Sequence, residues 1–208
     1  MKSLIKNLLV LSTLFLFACN QGVKLSGNFS DAGEMNASFE RIGLDNTSIP
    51  LDNQKMESGK FSFTSKEGFK PGLYRIRLGQ QQIIFVLEGT EKNVKFSGTL
   101  SGLSQGTFDV SGAPAAEEVI NSLKELMSGQ ITIDLAQQKI NSTKSPLAAA
   151  LLAVQLLGFR PDFIENHKTA IKPLKEKYPE SEFTKSYESL IVQTEQQAMA
   201  EKASEAIK

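Results

Sequence analysis

From Lys24 to Gly112 apolar and polar residues alternate with a period of two. Leu25, Gly27 and Phe29 alternate with Ser26 and Asn28, and Met35, Ala37 and Phe39 with Asn36, Ser38 and Glu40. The pattern continues through Ile49/Leu51, Phe61/Phe63, Tyr74/Ile76/Leu78, Phe85/Leu87, Val94/Phe96 and Phe108/Val110. Turn-forming runs such as Asp31-Ala32-Gly33, Glu57-Ser58-Gly59, Lys70-Pro71-Gly72 and Gly89-Thr90-Glu91 separate these stretches. Short alternating segments about 8–12 residues apart predict an antiparallel sandwich or barrel. Ile83 to Leu87 is apolar throughout, as a strand covered on both faces would be. No helical segment of useful length is expected in this half.

At Ser111-Gly112-Ala113-Pro114 the period changes. Pro114 suits a first helical position, and Val119, Ile120, Leu123, Leu126 and Met127 then mark one face at helical spacing, with Gly129 as the stop. Ile131 to Ile140 predicts a weaker second helix. Ser145-Pro146 opens Leu147 to Leu157, where only Gln155 is polar, so this helix should lie in the middle of the helical layer. Arg160-Pro161-Asp162 starts a helix through Phe163, Ile164, Ala170, Ile171 and Leu174, which Pro173 should kink or split. The last helix opens at Ser181, buries Phe183, Tyr187, Leu190, Ile191, Thr194 and Ala198, and fades into a polar, alanine-rich tail. The fold class expected is α+β: an N-terminal antiparallel β-sandwich or barrel-like domain (24–112) followed by a C-terminal all-helical segment (113–208).

The first residues read as an export signal. Lys2 and Lys6 precede the apolar run Leu8 to Phe17, and Ala18 stands before Cys19. Such a run spans about 15 Å as a helix, half the ~30 Å core of a bilayer, which is too short for a stable anchor. The pattern resembles a bacterial lipobox. It predicts a signal peptide at 1–18, cleavage before Cys19, lipid on the Cys19 thiol and new amino terminus, and a short tether at 19–23. Asn20 rather than Asp after the cysteine points to the outer membrane, facing the periplasm.

Composition narrows the chemistry. Lys+Arg 23 balances Asp+Glu 23 among 208 residues, which argues against nucleic acid as a partner. One cysteine excludes an intrachain disulfide, a Cys-x-x-Cys pair and a multi-thiolate zinc site; one histidine excludes motifs that need two. No phosphate-binding glycine loop or Gly-x-Ser-x-Gly is present. His167 has no readable catalytic or metal partner in sequence and reads as a surface or helix-packing residue. Glu117/Glu118 and Glu180/Glu182 fall at helix starts, where they complement the macrodipole. Arg75 and Arg77 share one strand face, read as solvated or, alternatively, as a small anion-reading surface. Phe61, Phe63, Phe69 and Tyr74 read as sandwich core, or alternatively as the wall of a ligand groove. No catalytic, metal-binding or cofactor-binding set is expected, and no cofactor.

The order of parts is itself informative. Cys19 leads into Val23-Lys-Leu-Ser-Gly-Asn-Phe29, then Gly59-Lys-Phe-Ser-Phe63, Gly72-Leu-Tyr-Arg-Ile76, Ile84-Phe-Val-Leu-Glu-Gly89 and Phe108-Asp-Val-Ser-Gly112, followed by helices with Ser145-Pro-Leu and Lys177-Tyr-Pro-Glu-Ser181. This resembles the N-terminal half of Bacteroidetes lipoproteins that end in a thioredoxin-like, redoxin/TlpA-type thiol:disulfide oxidoreductase domain; the strand part resembles their N-terminal domain of unknown function. In that family the helices run into a thioredoxin fold bearing Trp-Cys-x-x-Cys. This sequence stops at Lys208, where that domain would begin, and holds no tryptophan and no second cysteine. The expectation is a truncated or split product, or a stand-alone relative, with no family catalytic residue to carry over. The function expected is a non-enzymatic, lipid-anchored periplasmic module that tethers or positions a thioredoxin-like protein or domain. The alternative is a cell-envelope lipoprotein that captures a peptide, glycan or small ligand on its β domain.

Overall fold

The computed structural model describes residues 22–45, 47–129 and 132–205. The expected signal at 1–18 and the lipidation site Cys19 lie outside the described residues. The strands are β1 (Val23–Phe29), β2 (Asn36–Ile42), β3 (Ser48–Lys55), β4 (Lys60–Ser65), β5 (Gly72–Leu78), β6 (Gln81–Leu87), β7 (Asn93–Gly98) and β8 (Phe108–Ser111). The helices are α1 (Leu100–Leu103), α2 (Pro114–Met127), α3 (Ile133–Ser142), α4 (Pro146–Leu157), α5 (Ile164–Lys177) and α6 (Glu182–Glu205), with a 3₁₀ turn at Pro161–Phe163 before α5. The protein is thus α+β, with its strands N-terminal and its helices C-terminal.

The strands form two four-stranded sheets, ordered β4-β1-β7-β8 and β3-β2-β5-β6. Their inner faces meet in one core. Leu25, Phe29, Phe39, Phe63, Tyr74, Phe85 and Phe96 are all essentially inaccessible there. Aromatic rings knit the layers together: Phe39 stacks on Phe63 at 5.3 Å and on Tyr74 at 5.4 Å, and Phe85 meets Phe96 edge-on at 4.9 Å. Gly27 lies under the Phe61 ring, where a Cβ would sit 2.1 Å from a ring carbon. The inward phase therefore has a gap at Gly27 that Phe61 fills.

Three details depart from the sequence-based expectation. The β1–β7 pair is parallel, in register Leu25↔Val94 and Gly27↔Phe96, because the chain visits the other sheet between them and re-enters from the same end. A four-residue helix, α1, interrupts the strand half after β7, its first N–H groups held by the Asp31 carboxylate, which lies just past the adjacent end of β1. Ile49 and Leu51 are 43% and 44% exposed, not inward; β3 is an edge strand, and a register shift at Phe39/Glu40 breaks its alternation.

The helices build a second core on the outer face of the β3-β2-β5-β6 sheet. Ile42, Leu73 and Val86 project from that face into a cluster with Val119, Leu147, Leu151, Leu152, Leu174 and Phe183. β6 is the strand that serves both cores: Ile83, Phe85 and Leu87 face the sandwich, and Val86 faces the helices. Helix α4 lies at the centre of the helical layer, as its all-round apolar sequence predicts, with Leu147, Ala148, Ala150, Leu151, Leu152 and Ala153 buried. Its N-terminus is fixed by Ser145, whose hydroxyl accepts from the Ala148 N–H at 3.3 Å. Pro173 does not split its helix. α5 runs continuously from Ile164 to Lys177, and buried Ile171 and Leu174 hold the turn that contains the proline. Met127, expected on the buried face of α2, is 59% exposed in its last turn.

The two halves join at Gly112, which has φ +79° and would place a Cβ 1.9 Å from the Asn93 carbonyl oxygen. A side chain there meets both an unfavourable backbone conformation and a fixed backbone atom. Gly112→Ala should lower stability by about 1–3 kcal/mol, the usual range for such strain. Gly33, with open space around it, is the control: Gly33→Ala should leave the urea midpoint unchanged or slightly raised. Equal midpoints for the two variants would refute this account of the junction.

Candidate functional site

The open side of the sandwich lies between edge strands β3 and β4, and a cleft of about 310 Å³ occupies it. Phe39, Phe63, Phe69 and Tyr74 form its aromatic wall, and Leu51, Asp52, Lys70 and Arg41 its rim. A second cleft of about 310 Å³ lies where β5 meets the start of α6, between Lys70-Pro71 and the run Lys177 to Glu182. Arg41 and Lys70 line both. The two clefts thus share a cationic divide.

Arg41 is placed there by strand geometry. It pairs with Tyr74 across β2–β5, just as Phe39 pairs with Ile76 and Ala37 with Leu78. It therefore continues the inward phase of β2 as a charged residue where an apolar one belongs. Its Nε is buried and makes no hydrogen bond, and among the described residues no carboxylate forms an ion pair with its side chain. An unsatisfied buried donor costs about 1–3 kcal/mol, and more if charged. Nearby, Ser181 precedes α6, and its carbonyl accepts from the Lys185 N–H at 3.1 Å. Its hydroxyl is buried and has no hydrogen-bond partner either. Tyr74 closes the floor, donating from its hydroxyl to the Lys70 carbonyl at 2.5 Å. Burial raises the Tyr74 pKa, partly opposed by the Arg41 charge, so the phenol stays neutral.

The sequence candidates fall out differently from one another. Phe63, Phe69 and Tyr74 are both core and cleft wall. Phe61 stacks at 6.3 Å on Phe29 in the same core and does not line this cleft. Arg75 and Arg77 share one strand face, as expected, with Arg77 46% exposed and Arg75 largely shielded, but they are not an open anion reader: both donate to Glu40, with Arg75 Nε at 3.0 Å and Arg77 Nε at 3.2 Å. Burial raises the Glu40 pKa, but hydrogen bonds from Arg75 and Ser48 outweigh it and hold the carboxyl below its ordinary range. Among the acidic residues at helix starts, Glu117 accepts from the Ala113 N–H, and Glu180 pairs with Lys185 at 2.8 Å.

His167 is a packing residue, and fully buried. Its Nε2 lies 2.8 Å from the Gly158 carbonyl, which can only accept, so Nε2 carries the proton. Nδ1 then accepts from the Tyr187 hydroxyl at 2.7 Å, while Phe159 stacks on the ring at 4.8 Å. Both ring nitrogens are used. A second polar joint is Glu88, just after β6, which accepts from Ser145 Oγ at 3.1 Å, Tyr178 hydroxyl at 2.9 Å and Lys177 Nζ at 3.1 Å. Burial works against its charge, but these three donors keep its pKa below the ordinary value. Glu88 thereby pins the end of the shared sheet to α4 and to the α5–α6 corner.

Arg41 is the functional candidate that sequence reading passed over. The apolar alternation of β2 runs Met35, Ala37, Phe39, and the next inward position is an arginine. A charge in the inward phase was the available signal. Among the described residues no helix is long and apolar enough to cross a membrane. Compared with known proteins, the chain matches no family model and no curated protein.

The His167 geometry makes a pH prediction. Burial lowers its pKa below the ordinary 6.5, outweighing the Gly158 hydrogen bond, so the unfolded chain takes up a proton that the folded one resists. Stability should be full above pH 6.5 and fall as pH drops from there toward the lower folded value. Urea midpoints at pH 7.5 and 5.5 should show this loss in the native protein and a flatter response in His167→Gln. Tyr187→Phe, which strands Nδ1, should cost about 1–3 kcal/mol at pH 7.5. An unchanged pH response in His167→Gln would contradict the assignment.

Proposed function

We propose that the chain is a non-enzymatic, lipid-anchored periplasmic module that positions a thioredoxin-like thiol:disulfide oxidoreductase, on the same polypeptide or a separate one. The observation that supports this most is the course of α6. Phe183, Tyr187, Ile191 and Thr194 are buried against the body, but the helix runs on to Glu205, and among the described residues none after Thr194 is buried. Glu195 still pairs with Lys168 of α5 and Ala198 is half-buried, so about two turns of helix, from Met199 on, project as a stiff arm, and Met199 is 65% exposed. Lipid on Cys19 would confine the other end to the membrane. A body held at one end and extended at the other raises the local concentration of whatever it carries, without chemistry of its own. The fold and the resemblance of its parts agree with this reading.

A second reading, capture of a small ligand by the β domain, is favoured by one specific observation: Arg41 and Ser181, whose Nε and Oγ are buried without partners, line a shared cleft. The first reading predicts that Cys19→Ser moves the protein from the membrane to the soluble periplasmic fraction. It also predicts that a Cys-x-x-Cys domain either continues the reading frame past codon 208 or is captured by a photocrosslinker at Met199 and not by one at Gly33. Finding neither would overturn it.

A further inference from the structure

We propose that the double cleft around Arg41 binds a carboxylate carried on an aromatic or apolar body, an inference that rests on the capture reading. Arg41 offers only donors, so the missing partner is an acceptor, and a guanidinium fork matches the two oxygens of a carboxylate. Ser181 adds a hydroxyl donor on the α6 side, and Lys70 adds charge at the rim. The acids nearby do not fill the position. Glu180 is held by Lys185, Asp52 accepts from the Asn53 N–H at 2.7 Å, and Glu40 is engaged by Arg75 and Arg77 on the opposite face of the sheet.

Geometry also selects the body of the ligand. From Arg41 one cleft leads past Leu51 and Phe69, the accessible apolar residues of a lining that also includes the buried rings of Phe39, Phe63 and Tyr74, and so favours a ring or branched side chain. Each cleft lies within the size range of small-ligand sites. Asp52, Glu180 and Glu182 on the walls disfavour a dianion, so a single carboxylate fits better than a phosphate monoester. Arg41 is kept unpaired at a cost to stability, as expected of a group whose partner arrives with the ligand.

The test uses the full chain and three probes in ligand-observed NMR titrations: N-acetylphenylalanine, its neutral amide and phenyl phosphate. The acid should bind at least about tenfold more tightly than either of the others. Arg41→Met should weaken acid binding by at least about tenfold while melting no lower than the native protein, because it removes an orphaned donor. Ser181→Ala, whose hydroxyl makes no cap bond, serves as the second variant and should weaken the acid several-fold. An acetylated tripeptide ending in Phe separates the sources: tighter binding assigns a peptide C-terminus, equal binding a free small acid, and both keep the carboxylate. Equal binding of acid and amide would overturn the carboxylate while leaving capture intact. No binding of any probe at millimolar concentration would overturn capture as well. Unchanged acid affinity in Arg41→Met would remove Arg41 from the site.

Discussion

The β3-β2-β5-β6 sheet is apolar on both faces over part of its area, and the rest of the molecule follows from covering it twice. Its inner face closes the sandwich through Phe39, Ile76, Ile83 and Phe85, and its outer face seats the helices on Ile42, Leu73 and Val86. Neither layer could be removed without exposing a continuous apolar strand to water. The outer face is only partly apolar. Beyond the helices it turns into the Glu40–Arg75–Arg77 network, in which Glu40 offsets one of the two arginine charges and Arg77 remains half-exposed. The helical layer stops where that network begins.

Polar side chains at the joint then divide by whether they are satisfied. Glu88 takes three donors and ties β6 to α4 and to the α5–α6 corner, while His167 uses both nitrogens between α5, α6 and the end of α4. Glu88 thus ties sheet to helices, and His167 ties the helices to one another. Arg41 and Ser181 are the contrast: the same joint leaves them buried at the polar atom and without partners. A structure that satisfies its other joint residues and not these has room for something to complete them.

Much of the fold was legible because period and length agreed. Ile83 to Leu87 announced a strand covered on both sides, and Leu147 to Leu157 announced a central helix; both lie where those patterns require. The parallel β1–β7 pair was not legible, because alternation says which residues face inward and nothing about the direction of the neighbouring strand. Pro173 does not split its helix because the local loss of one hydrogen bond is outweighed by the packing of Ile171 and Leu174. Ile49 and Leu51 misled because a bulge changes the phase without leaving a mark in composition. The aromatic wall of the cleft was visible as core, but its cationic centre was not, since Arg41 draws attention only once its register opposite Tyr74 is known.

If the doubly covered sheet welds sandwich and helices into one body, loosening it should be felt on both sides. Hydrogen exchange of the Val86→Ala variant measures this directly. Val86 belongs to the helical cluster and not to the sandwich one, yet protection should fall together in α4 and in the far-sheet strands β1 and β7, by a common increment in opening free energy of about 2 kcal/mol. Loss confined to the helices, with β1 and β7 exchanging as in the native protein, would show two independent bodies and contradict the account.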